Sequence, residues 1–341
     1  MTALLVIAAI VVLLIGGGML YQYLSMGRDA RRLPPPGRVI DIGTTKLHVD
    51  ERGTGWPVVI FDAGITATGL SWRRVQPEVA KLTRTLSYDR AGLGWSGPAQ
   101  GPRNLAAITG EFEGMLERAA PEGPYILVGH SYGTLIAREF AARHPERIAG
   151  LVLIDPVSTS EWGRPSETYA RNLRRGISLS RRGAMLARLG VVRFALNLVN
   201  TGARRMPRFI ARVSGGNSGG FTDRMAGEIR KLPREVWPAV QAHWSDPMCF
   251  ETMARYLESL SESCIALGDD RSLGDLPLVV FSAGTVSAAQ RAEHERLARL
   301  STRGRIEILP DCGHWIQLDR PELIIETIRE MALAARERVS R

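Results

Sequence analysis

The feature that most constrains this chain is a short apolar run that turns directly into an amphipathic segment. The run at residues 125–128 is bounded by proline and glycine, and its length is typical of a buried strand. From Leu135 onward the apolar residues recur at helical spacing. Between the two lies the sequence GHSYG at residues 129–133, which fits the pattern G-x-S-x-G. Because two glycines let a strand and a helix pass close together, we predict a sharp strand-to-helix turn with Ser131 at its apex.

A serine in this position is a candidate nucleophile. The turn holds it clear of the sheet, beside a helix N-terminus whose N–H groups favour an anion. The alternative is an ordinary surface serine in a glycine-rich turn.

The serine hydroxyl needs a base, and the chain has six histidines. His314 follows the last predicted strand, in the sequence DCGHW. A loop there lies at the carboxyl edge of the sheet, where the turn that carries Ser131 also lies. We therefore predict that His314 is the base. The alternative is a loop histidine that is bonded only to backbone. His130, next to the serine, is expected to point elsewhere.

Acyl transfer also needs donors for the developing oxyanion. We predict that one is the N–H of Tyr132, the residue after the nucleophile. The other is the N–H of Ile65, beside Gly64 in the loop that follows the strand predicted at residues 58–61. The alternative is that this loop is only a glycine-containing turn.

The N-terminus begins with a long uncharged stretch. Residues 3–24 contain no charge, and a helix of that length spans about 33 Å, enough for the core of a bilayer. We therefore predict a retained transmembrane anchor. The alternative is a cleaved signal peptide of a secreted or exported protein, although no Lys or Arg precedes the run and no A-x-A site follows it. Arg28, Arg31 and Arg32 follow the run, which predicts a catalytic domain on the cytoplasmic side.

Strand and helix patterns alternate along the rest of the chain. They predict an α/β fold with a mostly parallel sheet and helices on both faces. The predicted strands lie at residues 46–50, 58–61, 86–89, 125–128, 150–155, 277–281 and 306–309, and the clearest helices at 108–119 and 321–336.

The pattern changes after residue 156, where arginines and apolar residues recur at helical spacing without a buried strand, as in an inserted helical lid. We predict an anchor with a basic flank at 1–32, a first core segment at 33–156, the lid at 157–275 and a second core segment at 276–341.

The composition argues against bound metals and nucleotides. The three cysteines have no CxxC spacing, so neither a zinc site nor a disulfide framework is expected. The glycine-rich stretch at residues 90–97 does not match the phosphate-binding loop pattern. We therefore expect no cofactor, no metal ion and no nucleic-acid partner, although the formal net charge is +9.

Several stretches taken together resemble the α/β-hydrolase superfamily. They are Trp72 with Gln76-Pro77, SYDRAGLGWS at 87–96, GHSYG at 129–133, GLVLID at 150–155 and Gly313-His314. The chain is most similar to bacterial single-domain hydrolases with the YDRAGxGWS signature, over about residues 35–335. The resemblance implies the α/β-hydrolase fold, a sheet of about eight strands and a Ser-His-acid triad. It implies little about the substrate.

Two stretches depart from the family pattern. The loop after the strand at 58–61 reads Asp62-Ala-Gly64 where many members have His-Gly, so the anchoring of this loop is expected to differ. Many members carry the triad acid just after the penultimate strand, but residues 281–287 contain no carboxylate here.

We predict Asp155 as the substitute acid. It ends the predicted strand that comes next in sequence after the helix following Ser131. That strand is expected to lie beside the strand that precedes Ser131. Some haloalkane-dehalogenase-like members of the superfamily place their acid at this strand end. The alternative is that Asp155 only shapes the turn at Pro156. Asp275, at the amino end of its strand, and Asp311, very near His314 in sequence, are the weaker candidates.

These residues predict a serine hydrolase that cleaves a carboxylic ester, thioester or amide through an acyl-enzyme. An anchor beside an apolar, cationic lid favours a small-molecule acyl ester or lipid-like substrate, with membrane contact through the N-terminal helix. The alternatives are a membrane-tethered acyltransferase and a binding module of the same fold with weak catalysis, which a missing acid would explain. Oligomeric state and acyl chain length do not follow from the sequence.

Overall fold

Eight strands form one sheet in the computed structural model, which describes residues 1–200, 231–268 and 271–339. The strands are β1 (Arg38–Asp41), β2 (Lys46–Arg52), β3 (Val58–Asp62), β4 (Thr85–Asp89), β5 (Tyr125–His130), β6 (Ile148–Ile154), β7 (Leu278–Ala283) and β8 (Gly304–Leu309). Their order is β1-β2-β4-β3-β5-β6-β7-β8. The pairs β1–β2 and β2–β4 are antiparallel, and the other five pairs are parallel. The prediction of a mostly parallel sheet of about eight strands is confirmed.

The edge strand β1 was not predicted from the sequence. It has four residues, of which only Ile40 is buried, so it carries neither an apolar run nor a full alternation. The other seven strands lie where the apolar pattern predicts them, with ends that differ by at most two residues.

Helices cover both faces of the sheet. Val59 and Phe61 of β3 pack in a cluster with Ile324 and Ile328. Ile60 between them is equally buried and faces the opposite side, because side chains alternate along a strand. The helices are α1 (Thr2–Arg32), α2 (Gln76–Val79), α3 (Leu105–Ala119), α4 (Gly133–Arg143), α5 (Thr159–Gly163), α6 (Glu167–Arg188), α7 (Val191–Asn200), α8 (Trp237–Trp244), α9 (Pro247–Glu258), α10 (Leu260–Leu267), α11 (Ala288–Ala298), α12 (Ile316–Asp319) and α13 (Pro321–Val339).

The chain divides into two compact units. The larger contains Pro35–Arg175 and Arg255–Arg341 and carries the sheet, and the smaller contains Met1–Pro34 and Gly176–Ala254. Over its described residues, the predicted lid segment contains helices and no strand. Its residues 201–230 and 269–270 lie outside the described ranges. The predicted division into four segments stays a prediction.

The smaller unit contains α1, whose N-terminal part is apolar and exposed. Among the described residues it is the one helix long and apolar enough to cross a bilayer, and its position fits either a membrane anchor or a signal sequence.

The C-terminal part of α1 is packed within the smaller unit. Gln22 is buried, its side-chain nitrogen donates to the Ser245 carbonyl over 2.9 Å, and its side-chain oxygen accepts from Arg193 Nε over 3.0 Å. The same arginine pairs with Asp29. Therefore α1 is largely exposed, but Gln22 and Asp29 in its C-terminal half bind the rest of the smaller unit.

Candidate active site

The candidate site lies at the carboxyl edge of the sheet, where open α/β sheets bind ligands. Ser131 follows β5, Asp155 follows β6, and His314 lies in the loop after β8. All three line one cavity of about 240 Å³. The structure thus brings together the residues predicted as nucleophile, acid and base.

Ser131 lies on a strained turn between β5 and α4. Its φ is 51°, in the left-handed region that non-glycine residues rarely adopt. A Cβ atom on Gly129 would lie 2.8 Å from the carbonyl carbon of Gly133. A Cβ atom on Gly133 would lie 2.5 Å from the backbone carbonyl oxygen of Asp62. Glycine is therefore required on both sides of the turn, for the steric reason that predicted it.

His314 and Asp155 are joined by a short hydrogen bond. His314 Nδ1 lies 2.6 Å from Asp155 Oδ2. The histidine side chain is 47% exposed and the aspartate side chain 7%. When Nδ1–H donates to a carboxylate, the neutral ring keeps its lone pair on Nε2, the atom that takes a proton from a nucleophile in a Ser-His-Asp triad.

The Asp155 carboxylate is held from two sides. Its Oδ1 accepts a hydrogen bond from the Ala283 N–H over 3.1 Å, at the end of β7. Burial raises the pKa of this carboxyl, but the hydrogen bond and charge of His314, together with the Ala283 N–H, more than offset that effect, and the net pKa lies below its ordinary value. Asp155 is therefore ionised at neutral pH.

Neighbouring strand ends explain why Asp155 lies beside His314. Strands β6 and β7 are paired, with Ile154 opposite Phe281. The residue after β6 therefore lies next to the position after β7 where many family members carry their acid. Asp275, before β7, and Asp311, after β8, are both exposed, and neither is hydrogen-bonded to His314 in the part of the chain that the structure describes.

Ser131 and His314 both line the cavity, but no hydrogen bond joins their side chains among the described residues. Such bonds are often long in unliganded enzymes and shorten when substrate binds. The shared cavity is therefore compatible with proton transfer between the two side chains once substrate is bound.

The loop after β3 lies against the nucleophile. A Cβ on Gly64 would be 3.7 Å from Ser131 Cβ, so the peptide that joins Gly64 to Ile65 lies beside it. Tyr132 follows Ser131 directly, at the start of α4. Over the described ranges, neither the Ile65 N–H nor the Tyr132 N–H donates to a protein acceptor. The assignment of these two N–H groups as oxyanion donors stays a prediction.

The departure from the family pattern at residues 62–64 has a structural counterpart. Asp62 Oδ1 accepts from Arg90 Nη1 over 3.0 Å, and Oδ2 accepts from the Tyr88 hydroxyl over 2.9 Å. This contact between residues 62 and 90 was not predicted from the sequence. The sequence contained a signal for it, because an acidic residue directly after one buried strand and an arginine directly after another can form an ion pair.

His130, which was expected to point elsewhere, packs against His314. The two rings have centroids 4.7 Å apart, and His130 Nε2 lies 2.8 Å from the His314 carbonyl oxygen. Burial, together with the proximity of His314, lowers the pKa of His130 to about 3. His130 is therefore neutral and holds the backbone of the His314 loop.

His294 also lines the cavity, although the sequence places it on a charged helix. Its Nε2 lies 3.0 Å from the Pro156 carbonyl oxygen, and its Nδ1 lies 2.9 Å from Ser282 Oγ. Because a carbonyl can only accept, Nε2 carries the proton and Nδ1 accepts from the hydroxyl. Both ring nitrogens of His294 are therefore occupied by hydrogen bonds.

The cysteines form no second reactive centre. Cys264 and Cys312 are buried, and burial raises the pKa of Cys249 to about 12. Across the described residues, no group of three or more His, Cys, Asp and Glu side chains could hold a metal ion.

Comparison with known proteins assigns the family. A profile of the alpha/beta hydrolase family matches residues 59–327, which is most of the chain. The chain belongs to the alpha/beta hydrolase family. The predicted fold class is thereby confirmed.

Relatives within this family include enzymes with named activities. The 2-hydroxymuconate semialdehyde hydrolase of Pseudomonas sp. strain CF600 is 27% identical over 301 residues, which cover 84% of this chain and 90% of that enzyme. The lipase LipV of Mycobacterium tuberculosis is 31% identical over 122 residues, or 36% of this chain and 46% of LipV. An AB hydrolase superfamily protein of Gibberella zeae is 39% identical over 103 residues, or 29% of this chain and 32% of the relative. Apart from the semialdehyde hydrolase, the chain spans less than half the length of the curated relatives compared.

Solved structures of the family share the fold. A thermophilic esterase of Thermogutta terrifontis aligns with a TM-score of 0.55 and 21% identity, over 87% of this chain and 99% of that one. The haloalkane dehalogenase DbeA of Bradyrhizobium elkani aligns with a TM-score of 0.65 and 18% identity, over 88% of this chain and 98% of that one. At these identities the likeness concerns the fold and not the reaction.

Proposed function

We propose that this hydrolase-family chain is a serine hydrolase that cleaves a carboxylic ester, thioester or amide through an acyl-enzyme. The observation that carries the proposal is the 2.6 Å contact between His314 Nδ1 and Asp155 Oδ2 in the cavity that Ser131 also lines. A serine at a strained strand-to-helix turn, an imidazole and a buried carboxylate are the three parts that acyl transfer by a serine requires.

In the proposed reaction, Ser131 Oγ attacks the carbonyl carbon of the substrate while His314 Nε2 takes the hydroxyl proton. Asp155 keeps the proton on Nδ1 and stabilises the imidazolium. The Ile65 and Tyr132 N–H groups donate to the oxyanion of the tetrahedral intermediate. His314 then protonates the leaving alcohol, thiol or amine, and the acyl-enzyme remains on Ser131.

Deacylation repeats these steps with water. His314 removes a proton from the attacking water, the acyl carbon becomes tetrahedral again, and the proton returns to Ser131 Oγ as the acid is released. A serine in the nucleophile position also separates this chain from the dehalogenase and epoxide-hydrolase branches of the superfamily, which use an aspartate there.

The cavity bears on the size of the substrate. Trp162, Val286 and Gln290 line it together with the catalytic candidates. A volume of about 240 Å³ is below the range of about 300–1,000 Å³ that is typical of ligand sites, which supports a short group on at least one side of the scissile bond. The apolar N-terminal helix supports a lipid-like acyl substrate presented at a membrane.

The binding-module alternative rested on the lack of an acid after β7. The contact between Asp155 and His314 favours the hydrolase over that alternative, because it supplies the carboxylate that the imidazole needs. Transfer of the acyl group to an acceptor other than water would use the same residues. The experiment below distinguishes it from hydrolysis.

Fluorophosphonate labelling tests the proposal. The wild-type chain is expected to be labelled, and Ser131→Ala to lose both the label and ester turnover while keeping its circular dichroism spectrum. Ser272→Ala, at an exposed serine of the larger unit, is the matched control and should remain labelled. Labelling that persists in Ser131→Ala would refute the serine-hydrolase proposal. A panel of acyl esters with graded chain length, with and without an added alcohol, then distinguishes hydrolysis from transfer.

A further inference from the structure

Arg90 contacts the loop that carries one proposed oxyanion donor and the side chain of the residue that carries the other. We propose that its guanidinium is a positioning group that orients both oxyanion donors, the N–H groups of Ile65 and Tyr132. The inference rests on the proposed function and goes beyond it, because Arg90 takes no part in the proposed proton transfers.

The guanidinium of Arg90 holds the loop after β3 through three acceptors. Nη1 donates to Asp62 Oδ1 over 3.0 Å and to the Ala63 carbonyl over 3.0 Å, and Nη2 donates to the Gly64 carbonyl. The arginine is only 3% exposed and Asp62 only 4%. Two backbone carbonyls of the loop are thus bound by one rigid, planar group that carries a full charge.

The contact with Gly64 bears directly on the Ile65 donor. The Gly64 carbonyl and the Ile65 N–H belong to one peptide group, in which C=O and N–H point in opposite directions. A guanidinium that fixes the oxygen therefore also fixes the direction of the N–H, on the side away from Arg90. A hydrogen bond to the carbonyl of a peptide also strengthens its N–H as a donor.

The same guanidinium reaches the residue that carries the second donor. Its central carbon lies 5.4 Å from the ring centroid of Tyr132 and 5.3 Å from that of Tyr256, within the range of a cation–π contact. The Tyr132 ring is buried. One side chain therefore spans the loop of one donor and the aromatic ring of the other.

Asp62 makes this arrangement possible. A buried guanidinium requires a countercharge, and Asp62 supplies it at the end of β3, immediately before the loop that Arg90 holds. The Tyr88 hydroxyl fixes its other oxygen. Asp62 and Arg90 therefore act as a pair in this chain.

Arg90→Lys tests the proposal. A lysine keeps the positive charge but has a single nitrogen, which cannot hold Asp62 and both carbonyls in one plane. Misplacing one oxyanion donor is expected to lower kcat by about 10- to 100-fold. KM should change by less than about threefold, because the oxyanion forms only after binding. The affinity for a trifluoromethyl ketone, which forms an oxyanion on the serine, should fall by the same factor as kcat/KM.

The chain offers a matched control at Arg103. This arginine is 1% exposed, lies 5.3 Å from the ring centroid of Tyr256 and pairs with Glu111 over 2.6 and 2.8 Å. It thus shares the burial, the cation–π contact and the carboxylate partner of Arg90 without its contacts to the loop. Arg103→Lys should therefore keep kcat within about threefold, because a general packing effect alone leaves the oxyanion donors in place.

All assays use the full-length chain in detergent, with rates expressed per site titrated by fluorophosphonate. If Arg90→Lys does not fold, Asp62→Asn is the second test of the role of Arg90. Its kcat is expected to fall by about three- to tenfold, with an equal loss of ketone affinity and an unchanged KM. Wild-type protein that is neither labelled nor active would overturn the proposed function and with it the role of Arg90. Active wild-type protein whose Arg90→Lys form keeps kcat and ketone affinity within about threefold would overturn only the role of Arg90.

Discussion

Replacement of Asp155 by asparagine reverses the proton arrangement of the imidazole. In the wild-type chain Oδ1 accepts from the Ala283 N–H, and Oδ2 accepts from His314 Nδ1. In Asp155→Asn the amide oxygen must remain at Ala283, because an NH₂ group there would face another donor. The amide nitrogen then faces His314 Nδ1 and donates to it. The ring is forced into the tautomer that carries its proton on Nε2, where it cannot take the proton of Ser131.

The expected loss in kcat is about 10⁴-fold, the size of effect that this change of tautomer has in a serine protease triad. It corresponds to about 5 kcal/mol in the activation barrier. The assay is single-turnover hydrolysis of a 4-nitrophenyl ester, which separates acylation from product release. Stability should change much less than the rate, because the amide keeps the size of the carboxylate and its contact with Ala283.

Asp275→Asn is the matched control, since Asp275 is exposed and precedes β7. It should leave kcat within about twofold of the wild type, as a surface substitution does. The reasoning would be refuted by a folded Asp155→Asn variant whose acylation rate lies within about tenfold of the wild type, because the tautomer would then not limit the reaction.

Two further predictions concern pH and the N-terminal helix. Burial keeps the pKa of His130 near 3 in the folded chain, against an ordinary value of 6.5. Only the unfolded chain gains this proton between those pH values, so stability falls as pH falls, by about 2 kcal/mol from pH 7 to pH 5. Urea unfolding should show that loss in the wild type and a correspondingly smaller one in His130→Gln, whereas equal losses would contradict the assignment. Deletion of residues 1–17 should release the chain from carbonate-washed membranes without loss of kcat. Deletion of residues 1–32 also removes Gln22 and Asp29, the partners of buried Arg193, and should lower the thermal midpoint as well. An equal midpoint for the two deletions would contradict that role.

The backbone of the site could be predicted from the sequence because it depends on local sterics and burial. Glycines on either side of Ser131 admit one kind of strand-to-helix turn, and the apolar runs of β3, β5 and β6 predict buried parallel strands. Each of these features can be recognised from a few consecutive residues. The edge strand β1 lacks such features. Its strand conformation depends on its pairing with β2, which the local sequence does not show.

Contacts between distant charged and polar groups could not be predicted in the same way. Arg90 and Asp62 are 28 positions apart in sequence, and neither shows from its neighbours which partner it has. Gln22 looked like a polar residue near the end of an apolar helix, yet it is buried against Ser245 and Arg193. Asp155 could be chosen over the other acids only because strand order indicates which strand ends are adjacent.

The measurement that tests the account most directly is the mass of the covalent intermediate. The full-length chain would be mixed with a 4-nitrophenyl ester, quenched in acid during the first turnover and digested for peptide mass analysis. An acyl-enzyme mechanism predicts one added acyl group on Ser131 that forms in step with the first-turnover release of nitrophenol in the wild type and is absent from Ser131→Ala. Ester turnover without an acyl adduct, or with the adduct on another residue, would contradict it.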